Sequence, residues 1–248
     1  MTIHLTEVLL LFGVGTVAGL INVTAGGGSA LSLPTLIFLG LDAALANGTN
    51  RIAIIIQNIF AILSFRQQKM HHFRLSLKLA LWTLPGGILG AILAVRIGDE
   101  WFMRILGIVL IGVVLSMIFP PRRQENPASP RRPAWLVYPA LLLVGFYGGF
   151  IQVGVGFLLM AALFHLLALN LVQVNMHKVF IVFIYTIPAL AIFIASGNVN
   201  WPLGLSLAAG NSFGGWWAAR LQVQRGEKLV RIMLVAALMI MALKLLHG

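Results

Sequence analysis

Ten apolar runs divide the chain, and several approach the ~20 residues that carry a helix across ~30 Å of hydrocarbon. They fall near 5–23, 29–40, 49–65, 75–96 and 101–119, then 135–152, 157–169, 178–195, 202–220 and 229–247. A soluble domain of similar length carries roughly 25% charged residues, whereas only 9% are charged here and 60% are hydrophobic. Within lipid every backbone amide must find a partner inside the protein, so runs of this kind become helices. The expected fold class is all-α, a polytopic integral membrane protein. The N-terminal stretch from Met1 to Glu7 has no Lys or Arg and contains an acid, so the first run is expected to be retained rather than cleaved as a signal.

Runs 29–40 and 157–169 hold only 12 or 13 residues, about 18–20 Å of helix, and each follows a glycine-rich break. They are expected as short broken or re-entrant helices. The segment Pro120 to Pro133 is rich in Pro and Arg and reads as a linker at 120–133, between a first membrane repeat at 1–119 and a second at 134–248. The repeat is legible in matched residues. Gly15, Gly19 and Asn22 line up with Gly145, Gly149 and Gln152; Gly28 meets Gly156; Asn47 meets Asn175; Gly86 and Gly90 match Gly210 and Gly214.

Charge orients the two copies. The loop Arg66, Lys69, Arg74, Lys78 is basic, and its counterpart from Ser196 to Trp201 carries no charge. The following loop reverses the pattern: Arg96 to Arg104 holds Asp99 and Glu100, while Arg220, Arg225, Lys228 and Arg231 form a basic cluster. Basic loops remain cytoplasmic, so corresponding loops lie on opposite sides and the second five-segment repeat is inverted. Both termini are then expected in the periplasm of a bacterial inner membrane, with the linker and its Arg122, Arg123, Arg131 and Arg132 in the cytoplasm. The net charge of +11 is thus a topology signal, and no nucleic-acid partner is expected. Inverted repeats with broken helices are the architecture of secondary transporters, whose sites sit at the repeat interface near the midplane.

Candidate site residues cluster at the breaks. Asn22, Thr24, Gly26, Gly27, Gly28 and Ser29 form the first; Gln152, Gly154 and Gly156 belong to the second. Successive glycines permit positive φ and close backbone approach, and a following helix N-terminus offers free amides to an anion. Tight packing is the competing reading. It is preferred for Gly86, Gly90, Gly210 and Gly214, while a site is preferred for Gly26 to Ser29, because packing does not demand three adjacent glycines. Asn47, Thr49, Asn50 and Arg51, and in the other copy Asn175, His177 and Lys178, open long runs toward the same space. Lys178 is either buried and paired with an anion or snorkelling at the interface. His177 is either a proton carrier or a hydrogen-bonded structural residue.

The acids decide the sign of the cargo. Glu7, Asp42, Asp99, Glu100, Glu125 and Glu227 all fall at segment ends or in loops, and a cation carrier normally places carboxylates within its spans. There is no cysteine, and His71-His72 cannot share one helix face, so no metal and no cofactor are expected. No Ser/His/Asp set or His-Glu-x-x-His motif is present, so the chain is not read as an enzyme. Trp101, Trp135 and Trp201 stand at segment starts as interfacial anchors. The expected partners are a small-molecule anion and the lipid bilayer, and the chain is compatible with a homo-oligomer.

The run Gly26-Gly27-Gly28-Ser29, with Pro34, Gly40 and Ala46-Asn47-Gly48-Thr49-Asn50, resembles the sulfite exporter TauE/SafE family of bacterial transporters along nearly the whole chain. The resemblance implies transport of sulfite, organosulfonates or related sulfur-containing anions, and by position it implies that Gly28, Ser29, Thr49 and Asn50 line the substrate site. The second copy departs from the family pattern at Val174-Asn175-Met176-His177-Lys178, and Ala162 stands where a second proline is expected. Alternating access is the expected mechanism. An anion channel, or carriage of a non-sulfur anion, is the alternative.

Overall fold

A computed structural model describes residues 4–70, 72–118, 134–167 and 169–247, with side chains left undescribed at 113–118, 134 and 226–247. The 120–133 linker with its arginines and Glu125 therefore lies outside the described residues, as do His71 and the side chains of Glu227, Lys228 and Arg231. The described chain is all-helical: α1 (Leu5–Thr24), α2 (Ser29–Phe38), α3 (Ala43–Gln67), α4 (Phe73–Arg96), α5 (Asp99–Ile118), a 3-10 turn (Ala134–Leu136), α6 (Val137–Phe150), α7 (Val155–Leu167), α8 (Leu171–Ala195) and α9 (Trp201–His247). Among the described residues four helices, α1, α3, α4 and α8, are long and apolar enough to cross a membrane. The exterior is apolar, with Leu89, Ile108 and Leu143 all more than half exposed. The interior holds the polar side chains: Asn47, Asn50, Arg51, Gln57, Asn58, Gln152, Asn175 and Lys178 are all buried. Trp101, Trp135 and Trp201 are exposed near helix starts, where anchors are expected.

The short helices fold back rather than cross. A Cβ on Gly28 would lie 2.0 Å from the Ala18 carbonyl oxygen, and Leu33 and Leu36 join Leu11 in one apolar cluster. α2 thus returns along α1. α7 returns along α6 in the same way, with Leu159 and Leu163 packed beside Val137 and Leu141. The two hairpins enter from opposite ends of the bundle. Asn200 N–H donates to Thr49 Oγ1 at 2.9 Å, and Glu7 shares a cleft with Trp201, which gathers the starts of α1, α3 and α9 at one end. Lys78 lies over the Tyr138 ring, which sets the start of α6 beside the start of α4 at the other.

Glycine pairs lock the long helices together. Cβ atoms on Gly15 and Gly19 of α1 would fall within 2.6 Å of backbone oxygens of Leu207 and Asn211 on α9, and Gly210 and Gly214 present the same intimacy to Phe12 and Thr16. Between α4 and α6 the pattern recurs, with Gly86 and Gly90 against Leu142 and Phe146, and Gly145 and Gly149 against Thr83 and Gly87. Packing is therefore what these pairs do, as small residues do where lipid offers no hydrophobic drive. The first helix of each half lies on the fourth segment of the other. α3 and α8 run antiparallel through the middle, Gly48 meeting Phe193 at one end and Phe65 clustering with Met176 near the other.

One boundary differs from the sequence reading. The last two runs, 202–220 and 229–247, are parts of one continuous α9, and no loop separates them. Arg220 to Arg231 is built of good helix formers, and Gly226 alone is too weak a breaker to end the helix. Glu227 accordingly sits in a helix rather than a loop.

Candidate functional site

The hairpin tips meet backbone to backbone. Gly26 adopts φ +91°, and a Cβ there would lie 2.4 Å from Cα of Gly156; a Cβ on Gly156 would lie 2.2 Å from Cα of Gly26. Gly27 faces the Phe157 ring just as closely. Gly26 and Gly28 thus serve close backbone approach, while Gly27 meets only the Phe157 side chain. At the second break Gly154 has φ +72° and Gln152 has φ +63°. A left-handed glutamine is strained by about 1–2 kcal/mol, and such strain persists where the side chain is needed.

Two buried cations sit beside the tips, each at the C-terminal end of the other half's first helix. Arg51 on α3 donates from Nη2 to the Gly149 carbonyl (2.5 Å), and from Nη1 to Gln152 Oε1 (2.8 Å) and the Gly148 carbonyl (3.3 Å). Lys178 on α8 donates from Nζ to the Val23 carbonyl (3.0 Å) and to Asn175 Oδ1 (2.7 Å). The matched asparagines complete the pattern: Asn47 Nδ2 donates to the Phe150 carbonyl at 2.8 Å, and Asn175 Nδ2 to the Thr24 carbonyl at 3.0 Å. Terminal carbonyls at the negative end of a helix dipole favour a cation. They do not neutralise it. Among the described residues the single ion pair is Arg104–Glu100 on the surface, so neither buried cation has a carboxylate partner. Lys178 is buried, 2% exposed, and does not snorkel to water.

Between the tips lies a cavity of about 10 Å³, lined by Asn22, Ser29, Asn58, Gln152, Val155, Gly156, Lys178, Val179 and Val182. That volume admits about one water, so the arrangement is closed around the site. Ser29 opens α2 and Gly156 stands in the first turn of α7, so both short helices start at the cavity. Gln57 Oε1 accepts from Asn22 Nδ2 (3.3 Å) and Asn211 Nδ2 (3.2 Å), and Gln57 Nε2 donates to Asn58 Oδ1 (3.5 Å). Asn58 Nδ2 is buried without a partner, a state that costs about 1–3 kcal/mol. The remaining Lys178 contact is Met160 Sδ at 3.8 Å, and a thioether is a weak acceptor. Lys178 and Asn58 therefore bring donor capacity to the cavity that nothing of comparable strength consumes.

Of the sequence candidates, Asn22, Ser29, Gln152, Gly156 and Lys178 line this cavity, and Asn175 orients Lys178 from behind. Gly26, Gly27, Gly28 and Gly154 shape the tips. Asn50 sits one layer away, its Oδ1 accepting from Ser32 Oγ at 2.7 Å and its Nδ2 buried without a partner. Three candidates point elsewhere. Thr24 bonds back to the Leu20 carbonyl, Thr49 holds the approach to α9 through Asn200, and the His177 ring meets Ser76 in a different space. Asn58 was not among the sequence candidates, and Arg51 was noted only as part of a motif. The available signal was a polar stripe on α3: Asn47, Asn50, Arg51, Gln57, Asn58 and Ser64 recur at helical spacing within an apolar run.

The chain is similar along its whole length to proteins described as membrane transporters. A probable membrane transporter protein of Haemophilus influenzae is 28% identical over 100% of this chain and 97% of its own length. The probable membrane transporter protein YfcA of Escherichia coli K12 is 30% identical, over 96% of this chain and 89% of its own. The probable membrane transporter protein YunE of Bacillus subtilis is 23% identical, over 96% and 97% respectively. No solved structure matches. The family described as Sulfite exporter TauE/SafE matches residues 11–245, and with that span and these helices the chain belongs to the TauE/SafE family of membrane transporters.

Proposed function

We propose that this transporter carries a small anion, sulfite or an organosulfonate in the first instance, by alternating access around the cavity between the hairpin tips. The observation that carries the reading is the pair of buried cations, Arg51 and Lys178, with no described carboxylate beside either. A buried cation costs about 2.5–3.5 kcal/mol on insertion scales, and a transient anionic partner repays part of that each time it binds. The cargo displaces the Met160 contact at Lys178, takes the spare Asn58 amide hydrogens, and meets the starts of α2 and α7. Val155, Val179 and Val182 face the rest of it.

At about 10 Å³ the cavity is too small for a sulfur oxyanion, so binding requires the tips to part. The glycine contacts tie α1 to α9 and α4 to α6. The bodies that move therefore mix the two halves: α1, α3 and α9 against α4, α6 and α8, sliding along the α3–α8 seam. Residues 1–119 rocking against 134–248 would tear both glycine interfaces.

Counterflow in proteoliposomes tests the reading. Labelled sulfite is expected to exchange saturably against sulfite or a sulfonate, and less well against sulfate or chloride. Conductance without exchange would support a channel instead, and exchange of chloride or another non-sulfur anion alone would remove the sulfur assignment. The orientation has its own test. An N-terminal tag is expected to be digested by protease added to intact spheroplasts, with the bacterial inner membrane as its location. Protection of that tag in folded, spheroplast-embedded protein would refute the periplasmic N-terminus.

A further inference from the structure

A second space opens between α3, α4 and α8, on the side of the 66–72 loop. It has a volume of about 450 Å³, with Phe65, Arg66, His72, Ser76 and Met176 among its lining residues. It lies further along the α3–α8 seam than the closed cavity: on α3, Asn58 faces the cavity and Phe65 this vestibule. On α8, Lys178, Val179 and Val182 face the cavity while Met176 and Phe180 face the vestibule. Behind the vestibule wall stands His177, 1% exposed, its Nδ1 2.8 Å from the Oγ of the lining residue Ser76. The exposed His72 ring lies at the outer side, 6.3 Å from the His177 ring.

The ionisable groups around His177 are all basic. His72 reaches it from the start of α4, Arg66 faces the vestibule from α3, and Lys178 follows it on α8. Basic groups elsewhere on α4, α9 and α7 are turned to rings: Lys78 lies over Tyr138, Arg220 over Trp217, and His165 packs against Phe164. No described carboxylate faces it. A proton on His177 therefore adds charge to a field already positive, and an anion in the vestibule relieves it. Reciprocally, the proton strengthens the hold on the anion by the same factor. Ser76 suits both states, since a hydroxyl donates to neutral Nδ1 and accepts from a protonated one.

Building on the anion-transport reading, we propose that this vestibule is the half-channel by which the anion reaches Lys178, and that His177 takes up a proton from it together with the anion, by way of water beside His72. The proton binds the His177 imidazole as the anion enters and leaves as the anion departs. A singly charged anion then moves with no net charge, so the membrane potential neither opposes its entry nor drives its exit.

The native chain has no cysteine, so Met176→Cys supplies a single thiol in the vestibule. Its reaction rates with an anionic (sulfonatoethyl) and a neutral methanethiosulfonate are compared between pH 8 and pH 6; the ratio cancels the thiol's own ionisation. The anionic-to-neutral ratio is expected to rise about 5-fold on acidification, because the anionic reagent enters together with the proton that His177 takes up. The rise is expected to persist when His72→Gln is added and to vanish with His177→Gln. A flat ratio in Met176→Cys, a rise that survives His177→Gln, or a thiol that reacts with neither reagent overturns the proposal. In parallel, methanesulfonate, which does not titrate in this range, is offered to proteoliposomes of the unmodified protein at clamped potential. Faster uptake under an acid-outside gradient supports the coupling, and uptake indifferent to the gradient overturns it. Absence of uptake speaks against methanesulfonate as cargo, and the thiol ratios still decide the vestibule and its proton site.

Discussion

Lys178→Gln is expected to weaken anion binding by about 100-fold, near 2.7 kcal/mol, with the helices intact. The glutamine amide still donates to a carbonyl at the end of α1, so the residue's role in capping that helix is largely kept, and only the charge is lost. A hydrogen bond to a charged group contributes about 1.5–3 kcal/mol, and a cavity that admits about one water screens that charge little. Concentration-dependent counterflow reads the loss, and thermal unfolding in detergent shows whether the protein survives. An unchanged half-saturation concentration in stable protein would leave Lys178 as a helix cap and nothing more. Lys178→Ala is the weaker test, because it also strands Asn175 Oδ1 and the Val23 carbonyl.

Gly156→Ala is expected to abolish transport by parting the two hairpin tips. Its Cβ would sit 2.2 Å from Gly26 Cα, a backbone atom that no rotamer change can move aside. Gly26→Ala meets the reciprocal collision and adds a left-handed φ of +91°. Either substitution forces the tips apart, and the cavity loses the geometry that brings Ser29 and Gly156 to one space. Transport is expected to fall to background and the melting temperature by ~5 °C or more. Gly13→Ala is the control: nothing lies within 4 Å of its added methyl, and alanine favours the helix by about 1 kcal/mol. Full activity and stability of Gly156→Ala would mean that the tips do not touch in the working protein.

How much of this the sequence displayed depends on the range of the interaction. The glycine breaks were legible because a positive φ and a missing Cβ leave a local mark, as at Gly26 and Gly154. The matched glycines Gly15 with Gly145 and Gly86 with Gly210 were legible because close packing restricts each position to the smallest residue. Reversal at the breaks was not legible: ten residues of α2 fit a half-crossing or a return equally well. Nor was the fate of the cations. Arg51 finds its acceptors 97 to 101 positions away, and Lys178 finds Val23 at a separation of 155. Neighbours in sequence also part company on a helix. His177 and Lys178 point about 100° apart, so one faces the vestibule side and the other the cavity, and a motif reading had put both in one site.

The crossed glycine interfaces bear on how the protein is made. The groove that Gly15 and Gly19 offer is filled by α9, which begins at Trp201. During synthesis α1 must therefore wait in the bilayer for some 180 residues before its partner surface exists. α4 waits less, until α6 is inserted. The Arg51 guanidinium likewise enters the membrane before the α6 carbonyls that will hold it have been synthesised. The first half is thus an unfinished assembly whose exposed grooves a second copy of itself, or an insertion chaperone, could occupy. Final closure falls to the α1–α9 contact, so truncation within α9 is expected to leave the nascent protein open to degradation rather than merely less active.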